Sequence, residues 1–242
     1  MPITGAVGPF GALDAPQRRR RADALNWVQR IRDRRRRREA FAWANPMKAS
    51  SSIDFNPAAA GYDRPIDLWL ACHHRVARMT SLLQRLVDYL KQHPVNAHAG
   101  VTAASIIRYF DEALPRHHED EALDLFPRLM ARLRAHSSGP AAETVGATLA
   151  SLLADHAEMD ALWQAMRVQL QAVVEGRNGQ FDDAQVLLFV TRFRAHLEVE
   201  ETALAPVLKR LLRAKDLREI GRAMARRRGV DWHPAQAKAP PR

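Results

Sequence analysis

The chain has 242 residues, 47% of them hydrophobic, and a formal net charge of +10. This length suits one large domain, or one domain with tails, with a sizeable core. No apolar run approaches the roughly 18 residues that cross a bilayer, and no apolar segment typical of a secretory signal follows the start. The one cysteine, Cys72, excludes an internal disulfide framework. We therefore expect a cytoplasmic protein without a transmembrane segment, whose metal ligands, if any, are histidines and carboxylates.

Most of the positive charge lies in an Arg-rich arm at residues 1–60. Residues 1–46 hold eleven arginines and four acidic residues, so +7 of the +10 lies there. Trp27, Val28 and Ile31 interrupt the arginines. Three interpretations are open: a partly helical basic segment that contacts nucleic acid or an anionic surface weakly, a disordered solvated arm, and an extension upstream of a native start at Met47.

From Asp63 onward the sequence predicts an all-α fold. Apolar residues recur at intervals of three and four over residues 63–93, 101–133, 141–174 and 182–212, with helix-breaking residues between these segments. Asp63 is the expected N-cap of the first helix, with Pro65 in its first turn. Four long helices joined by short loops favour an up-down-up-down four-helix bundle at residues 61–214. A short fifth helix, 217–228, and a tail complete the predicted region 215–242.

Three prolines fall inside the second and fourth predicted helices: Pro115, Pro127 and Pro206. A proline inside a helix removes one backbone hydrogen bond and clashes with the preceding turn. We expect bends at these positions, and not helix ends.

The most informative pattern is a repeat of metal-ligating residue types. His117 is followed by Glu121 and Pro127, and His196 is followed at the same spacing by Glu200 and Pro206. A Leu-Ala-x-His segment precedes each copy, and it ends at His73 and at His156. Residues four apart lie on one helix face, so each His-x-x-x-Glu pair can reach one metal region. The predicted ligands of a two-metal site are His73, His117, Glu121, His156, His196 and Glu200.

This ordered set on four helices resembles hemerythrin and the hemerythrin-like HHE cation-binding domains. The segment from His117 to Pro127 is especially similar to the second-helix signature of the bacterial group, and the resemblance covers about residues 63–228. It implies a non-haem di-iron centre in which Glu121 and Glu200 bridge the metals and the four histidines are terminal ligands. The ligand types by themselves also admit manganese or zinc.

The chain departs from the oxygen carriers of that family at two positions. The carriers have a second histidine four residues after the third-helix ligand, where this chain has Asp160. They also place the last acid five residues after its histidine, which corresponds to Glu201, whereas Glu200 repeats the offset of Glu121. Asp160, Glu201 and His118 therefore stay open as additional ligands. His74 and His118 are each adjacent to a predicted ligand, and His118 is favoured because Glu121 follows it by three residues.

The resemblance favours a carrier or sensor that binds dioxygen or nitric oxide, or that handles iron, over an enzyme. Two alternatives stay open. One is a di-iron oxidase or peroxidase that uses the same ligands. The other is a structural helical bundle with buried histidines, in which the basic arm binds nucleic acid.

Overall fold

The computed structural model describes residues 15–44, 61–136 and 139–233, and every regular element in these ranges is helical. Part of the Arg-rich arm forms helix α1, Ala15–Ala44. The alternative start at Met47 lies outside the described residues. Within the described ranges, no helix is both long enough and apolar enough to cross a bilayer.

The remaining helices follow the predicted segments to within a few residues at each end. Helix α2 is Pro65–Leu90. A second helical run comprises α3 (Ala97–Arg108), a π turn (Tyr109–Ala113), α4 (Leu114–Asp120), a π turn (Glu121–Leu125) and α5 (Phe126–His136). Helix α6 is Pro140–Val174. A last run comprises α7 (Asp183–Val199), a π turn (Glu200–Leu204) and α8 (Ala205–Leu211), and it is followed by α9 (Ala214–Arg227).

The sequence predicted Asp63 as the N-cap of α2, and this prediction was wrong by one residue. The cap is Arg64, whose side chain makes no capping hydrogen bond, because Pro65 is itself the first helical residue and fixes the residue before it as the cap. Polar caps do begin two other helices. Asn96 accepts a hydrogen bond from the N–H of Ala99 at the start of α3, and Asp182 accepts one from the N–H of Ala184 at the start of α7.

Each of the three internal prolines is preceded by a π turn, and the helical runs continue past all of them. The clash expected from a proline involves the carbonyl group four residues earlier, and for Pro127 and Pro206 that residue lies inside the π turn. In the π turn the N–H of Phe126 donates to the carbonyl of Glu121, five residues back. The wider turn thus accommodates each proline without ending the helix.

Two apolar cores lie on either side of a buried polar layer. The first core is built around Val76, Leu83, Ile106, Phe110, Met159, Trp163, Phe189 and Phe193. The second is built around Ile66, Trp69, Leu125, Leu129, Leu152, Leu204, Leu208 and Met224. The helical runs at residues 65–90, 97–136, 140–174 and 183–211 each contribute to both cores. In each run, the predicted ligands lie where the chain passes from one core to the other.

Helices α1 and α9 add to this arrangement from outside the four runs. Helix α1 packs on α6 through the buried residues Ala24, Trp27 and Ile31. Helix α9 packs on α2 and α4. At Gly221 of α9 a side chain would overlap the carbonyl oxygen of Tyr62, so this close approach requires glycine.

Candidate metal centre

The structure brings all six predicted ligands into one buried cluster. Each of these side chains is at most 3% exposed: His73, His117, Glu121, His156, His196 and Glu200. Donor atoms of His73, His117, Glu121 and Glu200 lie within 4.8 Å of one another. Donor atoms of His156, His196 and Glu200 form a second group at the same spacing.

Glu121 lies between two imidazoles and is fixed by a hydrogen bond. Its Oε1 atom is 2.9 Å from Nε2 of His117, and its Oε2 atom is 3.3 Å from Nε2 of His156. The indole N–H of Trp69 donates to Oε1 at 2.7 Å. The two oxygens of this carboxylate therefore face imidazoles from two different helices.

Glu200 has the corresponding position on the other side of the cluster. Its Oε2 atom is 3.4 Å from Nε2 of His73, and its Oε1 atom is 3.4 Å from Nε2 of His196. Neither oxygen accepts a hydrogen bond from any residue that the structure describes. The Nε2 atoms of His156 and His196 are 3.0 Å apart, which joins the two halves of the cluster.

The carboxylate ligands are each the first residue of a π turn. Glu121 begins the turn before Pro127, and Glu200 begins the turn before Pro206. π turns interrupt the regular progression of a helix and are frequent at functional sites. The equal glutamate-to-proline spacing noted in the sequence thus corresponds to the same backbone feature in both halves.

In the first half of the cluster, which comprises Glu121, His117 and His156, the pKa values of Glu121 and His117 shift in opposite directions. Burial opposes ionisation of Glu121, but the charge and hydrogen bonds of His117 and His156 hold its pKa well below the usual value. Burial likewise opposes protonation of His117, but Glu121 raises its pKa well above the usual value. This pair is therefore an ionised carboxylate beside a cationic imidazole.

In the second half, which comprises Glu200, His196 and His73, the pKa shifts are different. Burial and the charge of Glu121 raise the pKa of Glu200 to about 7. Burial lowers the pKa of His196, but Glu200 and Asp155 outweigh it and raise the value to about 9. Burial and the charge of His117 lower the pKa of His73 to about 3. At neutral pH His73 is uncharged and ready to bind a cation, whereas Glu200 is only partly ionised.

The three residues left open as additional ligands have distinct positions. Oε1 of Glu201 is 3.0 Å from Nδ1 of His73, where it orients that imidazole from outside the cluster. Asp160 accepts a hydrogen bond from the indole N–H of Trp27 at 2.9 Å. His118 is 2% exposed, stacks on His156 with ring centroids 4.0 Å apart, and forms a compact group with Glu121 and His156.

Three residues beside the cluster were not assigned to the site from sequence. Trp69 fills the second core and also donates to Glu121; its position one turn before His73 was the available signal. Cys72 is buried, and burial opposes ionisation of its thiol, while the neighbouring imidazole of His117 lowers the pKa. Trp27 lies 133 residues from its partner Asp160, and no local pattern marks that contact.

Comparison with known proteins identifies the part of the chain that holds the cluster. The family model for the hemerythrin HHE cation-binding domain matches residues 64–208. An uncharacterized protein of Haemophilus influenzae is 30% identical over 171 residues, which are 71% of this chain and 94% of that protein. The matched family residues contain all six predicted ligands, while α1 and α9 lie outside them.

Proposed function

Because the chain belongs to the hemerythrin HHE cation-binding domain family, we propose that it holds two iron ions and binds a diatomic ligand such as dioxygen or nitric oxide, as a carrier or sensor. The proposed ligands are His73, His117, Glu121, His156, His196 and Glu200. The four helical runs fit an up-down-up-down bundle, since successive runs pass between the two apolar cores in alternate directions.

The environment of Glu200 is the observation that carries the proposal. Its carboxylate is fully buried, and neither oxygen accepts a hydrogen bond from a described residue. Burying a carboxylate in this way is strongly unfavourable unless a cation compensates for it. The nearest groups are the Nε2 atoms of His73 and His196, each 3.4 Å away. His73, His196 and Glu200 would hold divalent cations here, which would stabilise the ionised form of the Glu200 carboxylate.

The grouping of the donor atoms supports two metal positions. One position corresponds to His73 and His117, and the other to His156 and His196. Glu200 belongs to both groups, and Glu121 is close to imidazoles of both. Nitrogen and oxygen donors without a thiolate suit iron, and iron in such a site supplies a redox-active centre for diatomic ligands.

The surrounding residues orient this set and keep water away from it. Trp69 holds Glu121 through its indole N–H, and Glu201 holds His73 through the outer ring nitrogen. Trp27 covers His156 with its ring centroid 4.6 Å from the imidazole. The apolar cores on both sides of the cluster bury this set.

The decisive experiment measures metals per chain after expression with added iron, together with the visible spectrum through cycles of reduction and exposure to air. We expect two irons per chain and absorption bands that appear and disappear reversibly. His73→Ala removes one terminal ligand and should reduce the iron content. His93→Ala, which changes an exposed histidine after the end of α2, is the matched control and should retain both irons.

Other outcomes would replace the proposal with a defined alternative. Manganese or zinc in place of iron would keep the site and change the chemistry. Continuous consumption of a reductant in air, without a stable oxygenated form, would indicate an oxidase. Metal at background in the parent protein would leave a helical bundle with buried histidines.

A further inference from the structure

Helix α1 covers the metal centre from outside the family domain. Its buried side chains Ala24, Trp27 and Ile31 are 5%, 0% and 1% exposed. Trp27 and Ile31 pack against Ala122, which follows the ligand Glu121 directly in the chain. The matched family residues begin at position 64, so this covering element is an addition particular to the N-terminal part of the chain.

Trp27 forms the innermost contact of this cover. Its ring centroid lies 4.6 Å from that of His156 and 5.7 Å from that of His118. Its indole N–H donates to Oδ2 of Asp160, one helical turn after His156. Trp27 therefore covers the imidazoles of His118 and His156, and Asp160 accepts its hydrogen bond. Asp160 is at the position where the oxygen carriers have a further histidine.

A second, weaker contact of α1 reaches the other half of the cluster. Nη1 of Arg20 is 3.9 Å from Oδ1 of Asp155, whose other oxygen lies 3.8 Å from Nδ1 of His196. Arg192 of α7 shares the same carboxylate. Asp155 and Asp160, both on α6, thus connect α1 to His196 and His156.

We propose that α1 is an opening cover of the metal centre, in which Trp27 is the gating residue and Asp160 its latch. The proposal rests on the proposed metal function for its purpose, but the cover itself is a property of the metal-free chain. When closed, it keeps water and bulky ligands from His118 and His156. When open, it gives metal ions and solvent access to these imidazoles.

The composition of α1 explains why this cover can open. Among the side chains of α1 that the structure describes, the buried apolar ones lie in a short central segment, and exposed arginines lie on either side of it. Residues 15–44 carry a formal charge of +8 and α6 carries −3, so the two helices attract each other electrostatically. Attraction between α1 and α6 is mainly between partly exposed groups, and salt screens such attraction. High salt therefore favours the open state.

The first test uses the metal-free protein and compares Trp27→Ala with Leu25→Ala. Leu25 lies on the same helix and is 65% exposed, so its substitution removes apolar area without touching the cluster. The readout is the rate at which diethyl pyrocarbonate modifies His118 and His156, measured by mass spectrometry. We expect Trp27→Ala to increase this rate about tenfold or more, and Leu25→Ala to leave it unchanged. Equal rates in the two variants would overturn the proposal.

A second pair of variants tests the latch without deleting the large side chain. Asp160→Ala removes the acceptor for the indole N–H, whereas Asp160→Asn keeps a carbonyl oxygen there. We expect faster amide hydrogen exchange in residues 24–31 of Asp160→Ala, further acceleration by salt, and near-parental exchange in Asp160→Asn. Unchanged exchange in Asp160→Ala at both low and high salt would show that Asp160 does not hold α1.

A third measurement separates failure of the cover from failure of the metal function. Protein loaded with cobalt is mixed with excess chelator, and Trp27→Ala should release the metal faster than Leu25→Ala. If neither protein binds metal but the modification rates differ as expected, the cover stands and the metal function fails. If Trp27→Ala and Leu25→Ala both bind metal and release it at the same rate, the metal function stands and the gating role of Trp27 fails.

Discussion

The two His-x-x-x-Glu segments share spacing, burial and a π turn, yet their carboxylates are held in different ways. Glu121 accepts a hydrogen bond from Trp69 and lies 2.9 Å from the cationic imidazole of His117. Neither oxygen of Glu200 accepts a hydrogen bond from a described residue, and burial with the Glu121 charge raises its pKa to about 7. The repeated spacing therefore determines where each carboxylate lies, and the neighbouring residues determine its charge.

The difference extends to the outer surface of each segment. The first is backed by α9, whose Arg227 contacts Glu119, Asp120 and Asp124 and whose Arg228 contacts Asp120 at 2.7 Å. At the same spacings from Glu200 the second segment has Glu198, Val199 and Ala203, and all three are exposed. The first half is thus pre-organised by ion pairs from α9, whereas the Glu200 carboxylate of the second half accepts no hydrogen bond from a described residue.

The largest expected effect comes from making the same substitution in both halves. Glu121→Leu leaves the Trp69 N–H and the buried charge of His117 without a partner, and should lower the free energy of unfolding of the metal-free protein by about 3 kcal/mol or more. Glu200→Leu removes a carboxylate that lacks hydrogen bonds and should raise it by about 1 kcal/mol. Urea denaturation of the metal-free variants measures both changes.

The essential part of this prediction is that the two substitutions change the free energy of unfolding in opposite directions. Glu121→Leu and Glu200→Leu should both lose at least one metal, so metal content serves as the common control for removal of a ligand. If both substitutions shift the denaturation midpoint in the same direction, the proposed difference between the two halves is wrong.

Removing the support of α9 should have the next largest effect. Arg227→Met leaves the buried carboxylates of Asp120 and Asp124 with fewer cationic partners, and should lower the free energy of unfolding by about 3 kcal/mol. Lys215→Met on the same helix is the control, because the Lys215 side chain is 78% exposed. Thermal denaturation should separate the two variants, and coincident curves would show that α9 does not support the first half.

Proton release on metal binding tests the charge states of both halves. The pKa of His117 is raised well above its usual value, and that of His196 is raised to about 9, so both imidazoles are protonated in the metal-free protein at neutral pH. A metal ion must displace these protons and also the fraction of a proton that Glu200 carries, so binding at pH 7 should release about two to three protons per chain. The apparent affinity should therefore increase with pH, up to about pH 9 where His196 loses its proton.

Zinc titrations in buffers of different ionisation enthalpy count these protons. Glu200→Leu should release at least about one proton fewer, because the proton on Glu200 is absent and His196 loses the carboxylate that does most to raise its pKa. An apparent affinity that is independent of pH would contradict the assigned charge states.

Much of the cluster could be predicted from the sequence because its residues lie at local spacings. His117 and Glu121 are one helical turn apart, and the second copy repeats the distance to the following proline. The prolines predicted disturbed helices, but their sequence did not distinguish a kink from the π turns that are present. Both features depend on the backbone within a few residues, which is why local reasoning reached them.

The contacts that distinguish the two halves could not be predicted in this way. Trp69 and Glu121 are 52 residues apart, and Arg227 and Asp120 are 107 apart. Such pairs depend on how helices pack, and neither residue of a pair marks the other in the sequence. The stacking of His118 on His156 could not be predicted for the same reason, because it arises only where α4 packs against α6.

The smallest expected effect concerns the outer contact of the second half. Glu201→Ala removes the carboxylate 3.0 Å from Nδ1 of His73, so the imidazole loses the group that fixes its orientation. Such outer partners typically change metal affinity by about tenfold or more. Glu198→Ala, an exposed acid on α7, is the control for the loss of one negative charge near the centre. Competition with a chelator should show weaker binding only in Glu201→Ala. Because Glu201 is partly exposed, protein stability should hardly change, and a large loss of stability would show that this half is pre-organised after all.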